Sequence, residues 1–316
     1  MTELRKVGYR DGSVDLTALH AHPQDAIRAA VAIYPTFMNS TPAVEMKARQ
    51  LVEFFRLTPY LDTEAGSLSY GQQKLVDAAA EGLLADSAMI AHGRGEAFDY
   101  LLGEQTSDSA RSAIREASAR LLTAERPVIS VNGNTVVLAG EDLIRVAAVV
   151  GCPIEVNLYY RTPERIAGLL TRLAEQRASV AGGPAPDGWS EDWAKAVSSV
   201  ALLGDGADGS IEGLEGARAI CCTNGIGSAD IVLVPLEDGD RCEALVEMGK
   251  QVVVIDLNPL SRTSRMATVT IVDEVTRAAT ALVDEVVSGH AAQGDWDNRA
   301  ALSEALDIIA GASAGE

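Results

Sequence analysis

The strongest constraint on this chain is a unit that recurs from Leu68 onward: a short, fully apolar run, a polar cluster at its carboxyl end, then a stretch of helical composition. Apolar runs at 127–131, 154–158, 200–203, 231–236, 251–256 and 268–272 predict strands, and shorter runs at 88–91 and 135–138 read the same way. Helices are predicted at 72–84, 96–102, 109–123, 141–150, 163–176, 241–248 and 275–287. Strands without polar alternation are buried on both faces, and strands separated by helices pair in parallel. The expectation is an α/β fold, a doubly wound and mostly parallel sheet.

Residues 1–66 read differently, as a helical amino-terminal extension with helices near 23–34 and 41–56. Val44, Ala48, Leu51 and Phe55 recur at helical spacing and form a packing face there. His20 and His22 lie near a loop and read as solvated polar residues rather than metal ligands. The α/β domain occupies 67–288, and an Ala-rich, acidic, partly helical tail occupies 289–316.

A formal charge of −19 argues against nucleic acid as a partner, because phosphate backbones require a basic face. Cys152, Cys221, Cys222 and Cys242 show no metal-ligand spacing and suit a reducing compartment. No apolar run reaches membrane-spanning length and no secretory h-region opens the chain, so a cytoplasmic protein without membrane contact is expected.

In a doubly wound sheet, ligands lie beyond the carboxyl ends of the strands. The clusters there are His92-Gly93-Arg94-Gly95-Glu96, Asn132-Gly133-Asn134, Asn157 with Arg161-Thr162, Glu237-Asp238-Gly239-Asp240-Arg241, Asp256 through Thr263, and Asp273-Glu274. Glycines at 93, 95, 133 and 239 would let backbone N–H groups approach a phosphate. Arg94, Arg161, Arg241 and Arg262 can clamp phosphate or carboxylate, and Glu237, Asp238 and Asp240 can hold Mg²⁺. Each cluster also has a plainer reading: Asn132-Gly133 as a turn, Asp240 as the cap of the helix that follows, Asp256 as a turn former before Pro259. There is no Walker A loop, no GxGxxG and no legible nucleophile triad. The residues alone point to a nucleotide- or phosphate-binding α/β enzyme.

At these same segments the sequence resembles the archaeal phosphopantothenate synthetase (4-phosphopantoate–β-alanine ligase) family. The matching runs are IAHGRGEAFDY from Ile90, PVISVNGN from Pro127, IEVNL from Ile154, ADIVLVPLEDGDRCEA from Ala229, IDLNPLSRT from Ile255 and TIVDEV from Thr270. The resemblance implies a Rossmann-like fold, a homodimer, and an ATP-dependent condensation of 4-phosphopantoate with β-alanine that releases AMP and diphosphate during coenzyme A biosynthesis. It places the ATP contacts on Arg94, Asp256, Leu257, Asn258, Arg262, Thr263, Glu274 and Val275, with Gln72 where the family has an arginine. In the mechanism it suggests, Arg94 and Arg262 neutralise phosphates and Asp238 or Asp240 holds Mg²⁺. Asn132, Asn134, Asn157 and Arg161 are then the candidates for orienting 4-phosphopantoate.

Three departures stand out. Thr63–Gly66 replaces a His-Pro-Arg-Tyr motif, Gln72 replaces the arginine, and Glu274 replaces an asparagine. They leave two alternatives: a ligase of changed acid or amine, and a nucleotide-binding protein without catalysis.

Overall fold

The computed structural model describes residues 69–85, 87–291 and 294–312, together with a small antiparallel ladder of Tyr9–Arg10 with Ser13–Val14. The helices expected at 23–34 and 41–56, His20, His22 and Thr63–Gly66 lie outside the described residues. The chain divides into two compact units, Met1–Gly82 with Asp86–Ile90, and Leu83–Ala85 with Ala91–Glu316.

The second unit is built on six parallel strands. β1 (Pro127–Val131), β2 (Ile154–Val156), β3 (Leu202–Leu203), β4 (Ile231–Pro235), β5 (Gln251–Ile255) and β6 (Val269–Ile271) form one sheet in the order β6-β5-β4-β1-β2-β3. Its central register pairs Ile129 with Leu233 on one side and with Ile154 on the other. The helices described are α1 (Tyr70–Ala80), which belongs to the first unit, and α2 (Ala88–Leu101), α3 (Asp108–Thr123), α4 (Gly133–Val150), α5 (Pro163–Gly182), α6 (Trp193–Ser198), α7 (Gly239–Glu247), α8 (Arg262–Met266), α9 (Val275–Ser288) and α10 (Asn298–Ala312). No helix among the described residues is long and apolar enough to cross a membrane.

Both faces of the sheet are covered, which is why its strands read as unbroken apolar runs. Val128, Val232, Val234, Val252 and Val254 form one buried cluster with Cys242, Ala244 and Leu245 of α7 and with Ile211, Cys221 and Ile226. Alternation along each strand turns Ile129, Val131, Leu233, Val253 and Ile255 to the opposite face. There α4 packs against α5 and α9, and α9 against α3. The acidic tail carries α10, whose Leu302 and Ala305 are buried with Leu102, Leu257 and Val272.

Two of the expected strands are helical. Residues 88–91 do not form a strand feeding a turn at His92–Gly95; they open α2, which runs without a break through Arg94 to Leu101. This run holds one β-branched residue, Ile90, among good helix formers, and the two glycines lower helix propensity without breaking it. Residues 135–138 do not form a strand either. They belong to α4, which begins at Gly133 and is buried on nearly every side through Gly140. A helix apolar all round shows no stripe, so periodicity could not separate it from a buried strand. Asn132-Gly133 is accordingly a helix start rather than a turn, with the Asn132 side chain accepting from the Thr135 N–H at 3.1 Å.

The segment between β3 and β4 gave no clear sequence signal, and it is organised around a buried carboxylate. Gly209–Ser210 pairs antiparallel with Ile220–Cys221, and one wide helical turn spans Thr223–Gly227. Glu155, in the middle of β2 and fully buried, accepts from the Cys222 N–H at 2.9 Å and the Ile226 N–H at 2.8 Å. Burial pushes its carboxyl above the usual range, opposed by those two N–H groups, by Asn157 and by Arg161. Each buried N–H left without an acceptor costs about 1–3 kcal/mol. Glu155→Ala should therefore lower stability in urea denaturation by roughly 2–5 kcal/mol, with loss of the 220–227 turn from amide-exchange protection.

Candidate active site

The connections diverge between β1 and β4. From β1 the chain moves outward through β2 to β3; from β4 it moves the other way through β5 to β6. At such a switch point the loops leaving two adjacent strands part, and a crevice opens beyond their carboxyl ends. A cavity of ≈ 100 Å³ lies there, lined by Ser130, Val131 and Asn132 from β1, by Val234 through Asp238 from β4, and by Asn157, Tyr159 and Arg241.

The crevice is held open by specific bonds. Asn132 caps α4 and donates from Nδ2 to the Leu236 carbonyl at 2.9 Å, which ties the β1 exit to the β4 exit. Leu236 sits at φ 57°, a left-handed conformation that is costly for a leucine, and such strain concentrates at functional sites. Its N–H still reaches the Ile255 carbonyl at 3.1 Å. Beneath it, Glu237 and Arg241 form a buried ion pair at 3.4 Å. Burial pushes the Glu237 carboxyl up while Arg241 opposes the rise. A buried pair of this kind adds little net stability but is costly to break from one side.

Next to the cavity, the β4 and β5 exits are joined. Asp238, not Asp240, caps α7, accepting from the Asp240 N–H at 3.1 Å. Capping frees the Asp240 carboxylate, which meets Arg218 at 3.0 Å and also pairs with Arg262. Arg262 reaches Glu243 at 3.4 Å as well. Gly239 permits this approach, since a Cβ there would stand 3.0 Å from that of Arg262. The Thr263 hydroxyl donates to the Glu237 carbonyl at 3.0 Å. Asp256 folds its own loop, accepting from the Asn258 N–H at 2.9 Å and from the Ser261 hydroxyl. Leu257 is buried, and Gly95 of α2 approaches it so closely that a Cβ there would stand 3.4 Å away. Arg94, the residue before Gly95, is exposed beside this contact.

Asp240, Arg262 and Asp256 are thus gathered at the carboxyl edge of β4 and β5, and Arg94 is brought near them only through the contact of its neighbour Gly95 with Leu257. The glycines serve the protein's own packing more than a ligand: a Cβ on Gly133 would stand 2.9 Å from the Leu83 carbonyl, whereas Gly93 faces open space. Asn134 follows Gly133 in the first turn of α4. On the other flank, Arg161 bonds the Gly204 carbonyl beyond β3, and Asn157 donates to the Ile220 carbonyl at 3.1 Å.

After β6, Glu274 caps α9, accepting from the Thr276 N–H at 2.8 Å and the Arg277 N–H at 3.1 Å, and Val275 is buried behind it. Arg277 bridges Asp273 and Asp99, pinning α9 to α2. Hydrogen bonds to Asp99 hold its guanidinium well above the usual range, against a smaller desolvation effect. In the other unit, Gln72 closes a capping box with Ser69 at the start of α1. Arg218, Leu236, Asp99 and Arg277 escaped the sequence reading. Arg218 lies in the unpatterned 204–228 segment, and the others reveal themselves only by backbone angle or by partners far along the chain.

Together these features define a class: a doubly wound α/β protein with a switch-point crevice beside which Arg218 and Arg262 converge on the Asp240 carboxylate. The sequence profile described as Phosphopantothenate/pantothenate synthetase matches residues 109–311. The 4-phosphopantoate–β-alanine ligase of Thermococcus kodakarensis is 42% identical over 245 residues, covering 75% of this chain and 86% of that protein. That of Thermococcus onnurineus is 45% identical over 209 residues, covering 66% and 72%, and that of Methanosarcina mazei 46% over 207 residues, covering 66% and 73%. The chain belongs to the phosphopantothenate/pantothenate synthetase family.

Glu274 does the work of an N-cap, a role that asparagine fills equally well. Glu274→Asn should change stability by less than about 0.5 kcal/mol in chemical denaturation, whereas Glu274→Ala should cost about 1 kcal/mol.

Proposed function

We propose that the chain is an ATP-dependent ligase that condenses 4-phosphopantoate with β-alanine to 4′-phosphopantothenate through an acyl adenylate. Family membership together with the switch-point crevice is the observation that carries this reading. A carboxylate does not react with an amine directly, because oxide is too poor a leaving group. In the proposed sequence, a carboxylate oxygen of 4-phosphopantoate attacks the α-phosphorus of ATP and diphosphate departs. The β-alanine ammonium loses a proton to solvent, the free amine attacks the acyl carbon, AMP departs with the electron pair of the broken C–O bond, and the amide nitrogen releases its remaining extra proton to solvent.

Both steps gain more from positioning and charge neutralisation than from acid–base power. Arg94 and Arg262 neutralise the triphosphate, with the Asp256–Asn258 loop and Glu274-Val275 framing the nucleoside. Asn134 at the start of α4 and Arg161 serve the acid substrate, and Asn132 positions the crevice rather than touching the substrate. Mg²⁺ carried in by the nucleotide would need only one or two protein carboxylates beside the phosphates. Asp240, more open than Asp238, is the carboxylate we assign to it. The metal would supply charge neutralisation, and Asp240, held by Arg218 and Arg262, would be the carboxylate that receives it.

The test is product mass from purified protein with ATP, Mg²⁺, 4-phosphopantoate and β-alanine. AMP and 4′-phosphopantothenate are expected in equal amounts, and labelled diphosphate should exchange into ATP with 4-phosphopantoate alone. ADP as product, or exchange that needs β-alanine, would contradict the adenylate. Arg94→Ala and Arg262→Ala should each raise the KM for ATP by about 10- to 100-fold, the equivalent of one charge-assisted contact.

A further inference from the structure

The crevice cavity holds a set of buried polar atoms that the protein itself leaves unmatched. Asn157 is 1% exposed and Arg241 2%, and both line the cavity. Asn157 Oδ1 and Arg241 Nε make no hydrogen bond, and neither does Asp238 Oδ2 on the same wall. The nearest Arg218 nitrogen stands 3.6 Å from that Asp238 oxygen. The Asn157 amide is fixed in orientation, since its Nδ2 donates to the Ile220 carbonyl at 3.1 Å. Buried polar atoms without partners cost stability and are rare, so several on one small cavity indicate a ligand that completes them.

The chemistry of the set selects the ligand. Two atoms are acceptors, one neutral and one from a carboxylate, and the third is a guanidinium donor. A simple anion would satisfy Arg241 while facing Asp238 and the Asn157 oxygen. A metal ion would satisfy the oxygens while facing a guanidinium. A short zwitterion matches both, its ammonium donating to Asn157 Oδ1 and Asp238 Oδ2 and its carboxylate accepting from Arg241 Nε. The size agrees: a cavity of ≈ 100 Å³ suits a ligand of a few heavy atoms. The place agrees too, since the cavity wall includes Asp238, the cap of the helix that carries Asp240.

We propose that this cavity is the pocket for the amine substrate, a short ω-amino acid, with Asn157 and Asp238 receiving its ammonium and Arg241 its carboxylate. The proposal rests on the ligase reading above and names the subsite that reading leaves open. It moves Asn157 from the acid substrate to the amine. It also makes Arg241 a substrate-binding residue, with Glu237 as its positioning partner.

Steady-state kinetics on Asn157→Leu and Arg241→Lys, against the wild type, test it. Each should raise the KM for β-alanine by about 10- to 100-fold, the loss of a hydrogen bond to a charged group. The KM for ATP and for 4-phosphopantoate, and diphosphate exchange without amine, should stay within about threefold. A third variant, Ser130→Thr, keeps the hydroxyl and narrows the cavity by one methyl; in a panel of glycine, β-alanine and γ-aminobutyrate it should shift preference toward glycine. If the wild type makes the amide but the first two variants raise the KM for 4-phosphopantoate and leave that for β-alanine unchanged, the pocket assignment is wrong and the ligase reading stands. An unaltered amine profile in folded Ser130→Thr protein would also overturn the pocket. A wild type that forms no amide and exchanges no diphosphate would instead bring down the ligase reading.

Discussion

The site depends on one topological constraint: the chain leaves β1 toward β2 and leaves β4 toward β5, so the loops leaving these adjacent strands part and a gap opens between their carboxyl ends. Every other feature of the site follows from keeping that gap open and shaped. The bond from Asn132 to the Leu236 carbonyl sets its width, and the left-handed Leu236 turns the chain so that Glu237 and Asp238 follow its wall. The buried Glu237–Arg241 pair then places a guanidinium against the cavity without leaving an uncompensated charge.

The charge pattern around the gap bears on the proposed ligase function, in which so acidic a protein would take polyanionic substrates. At −19 overall, long-range attraction would not deliver such ligands. Local pairs would act instead. Arg262 and Arg218 converge on Asp240, so each guanidinium is held in place, yet Arg262 stays half-exposed and able to turn to a phosphate. Carboxylates here act as holders of arginines as much as candidate metal ligands. The neighbouring bridge from Arg277 to Asp99 and Asp273 is structural, holding α2 against α9 so that Arg94 stays beside the Leu257 loop.

The sheet was legible in the sequence because burial on both faces leaves an uninterrupted apolar signature, as in β4 and β5. The same signature misled at residues 135–138, where a helix buried all round looks like a strand. At 88–91 the run was too short to show a period of either kind. The strand-end rule placed Asn132, Asn157, Asp238, Asp256 and Arg262 at the carboxyl edge of the sheet, where the structure also has them, because it depends only on chain direction and sheet type. It could not separate side chains that build the crevice from those left open to a ligand. Asn132 and Asp256 spend their hydrogen bonds on caps and turns, while Asn157 and Arg241 keep unspent ones, and that distinction exists only in three dimensions. Arg218 and Glu155 were missed because their partners lie far off in sequence, across a segment with no periodicity.

On the proposed ligase reading, the substrates meet in the carboxyl-end crevice between β1 and β4. The decisive measurement is a crystal structure of the protein with Mg²⁺, a non-hydrolysable ATP analogue and 4-phosphopantoate. Phosphates are expected against Arg262 and Arg94, with the carboxylate of the acid at the mouth of the cavity lined by Asn157 and Arg241. Nucleotide bound at the amino-terminal edge of the sheet, or an acid substrate lying away from that cavity, would contradict that reading.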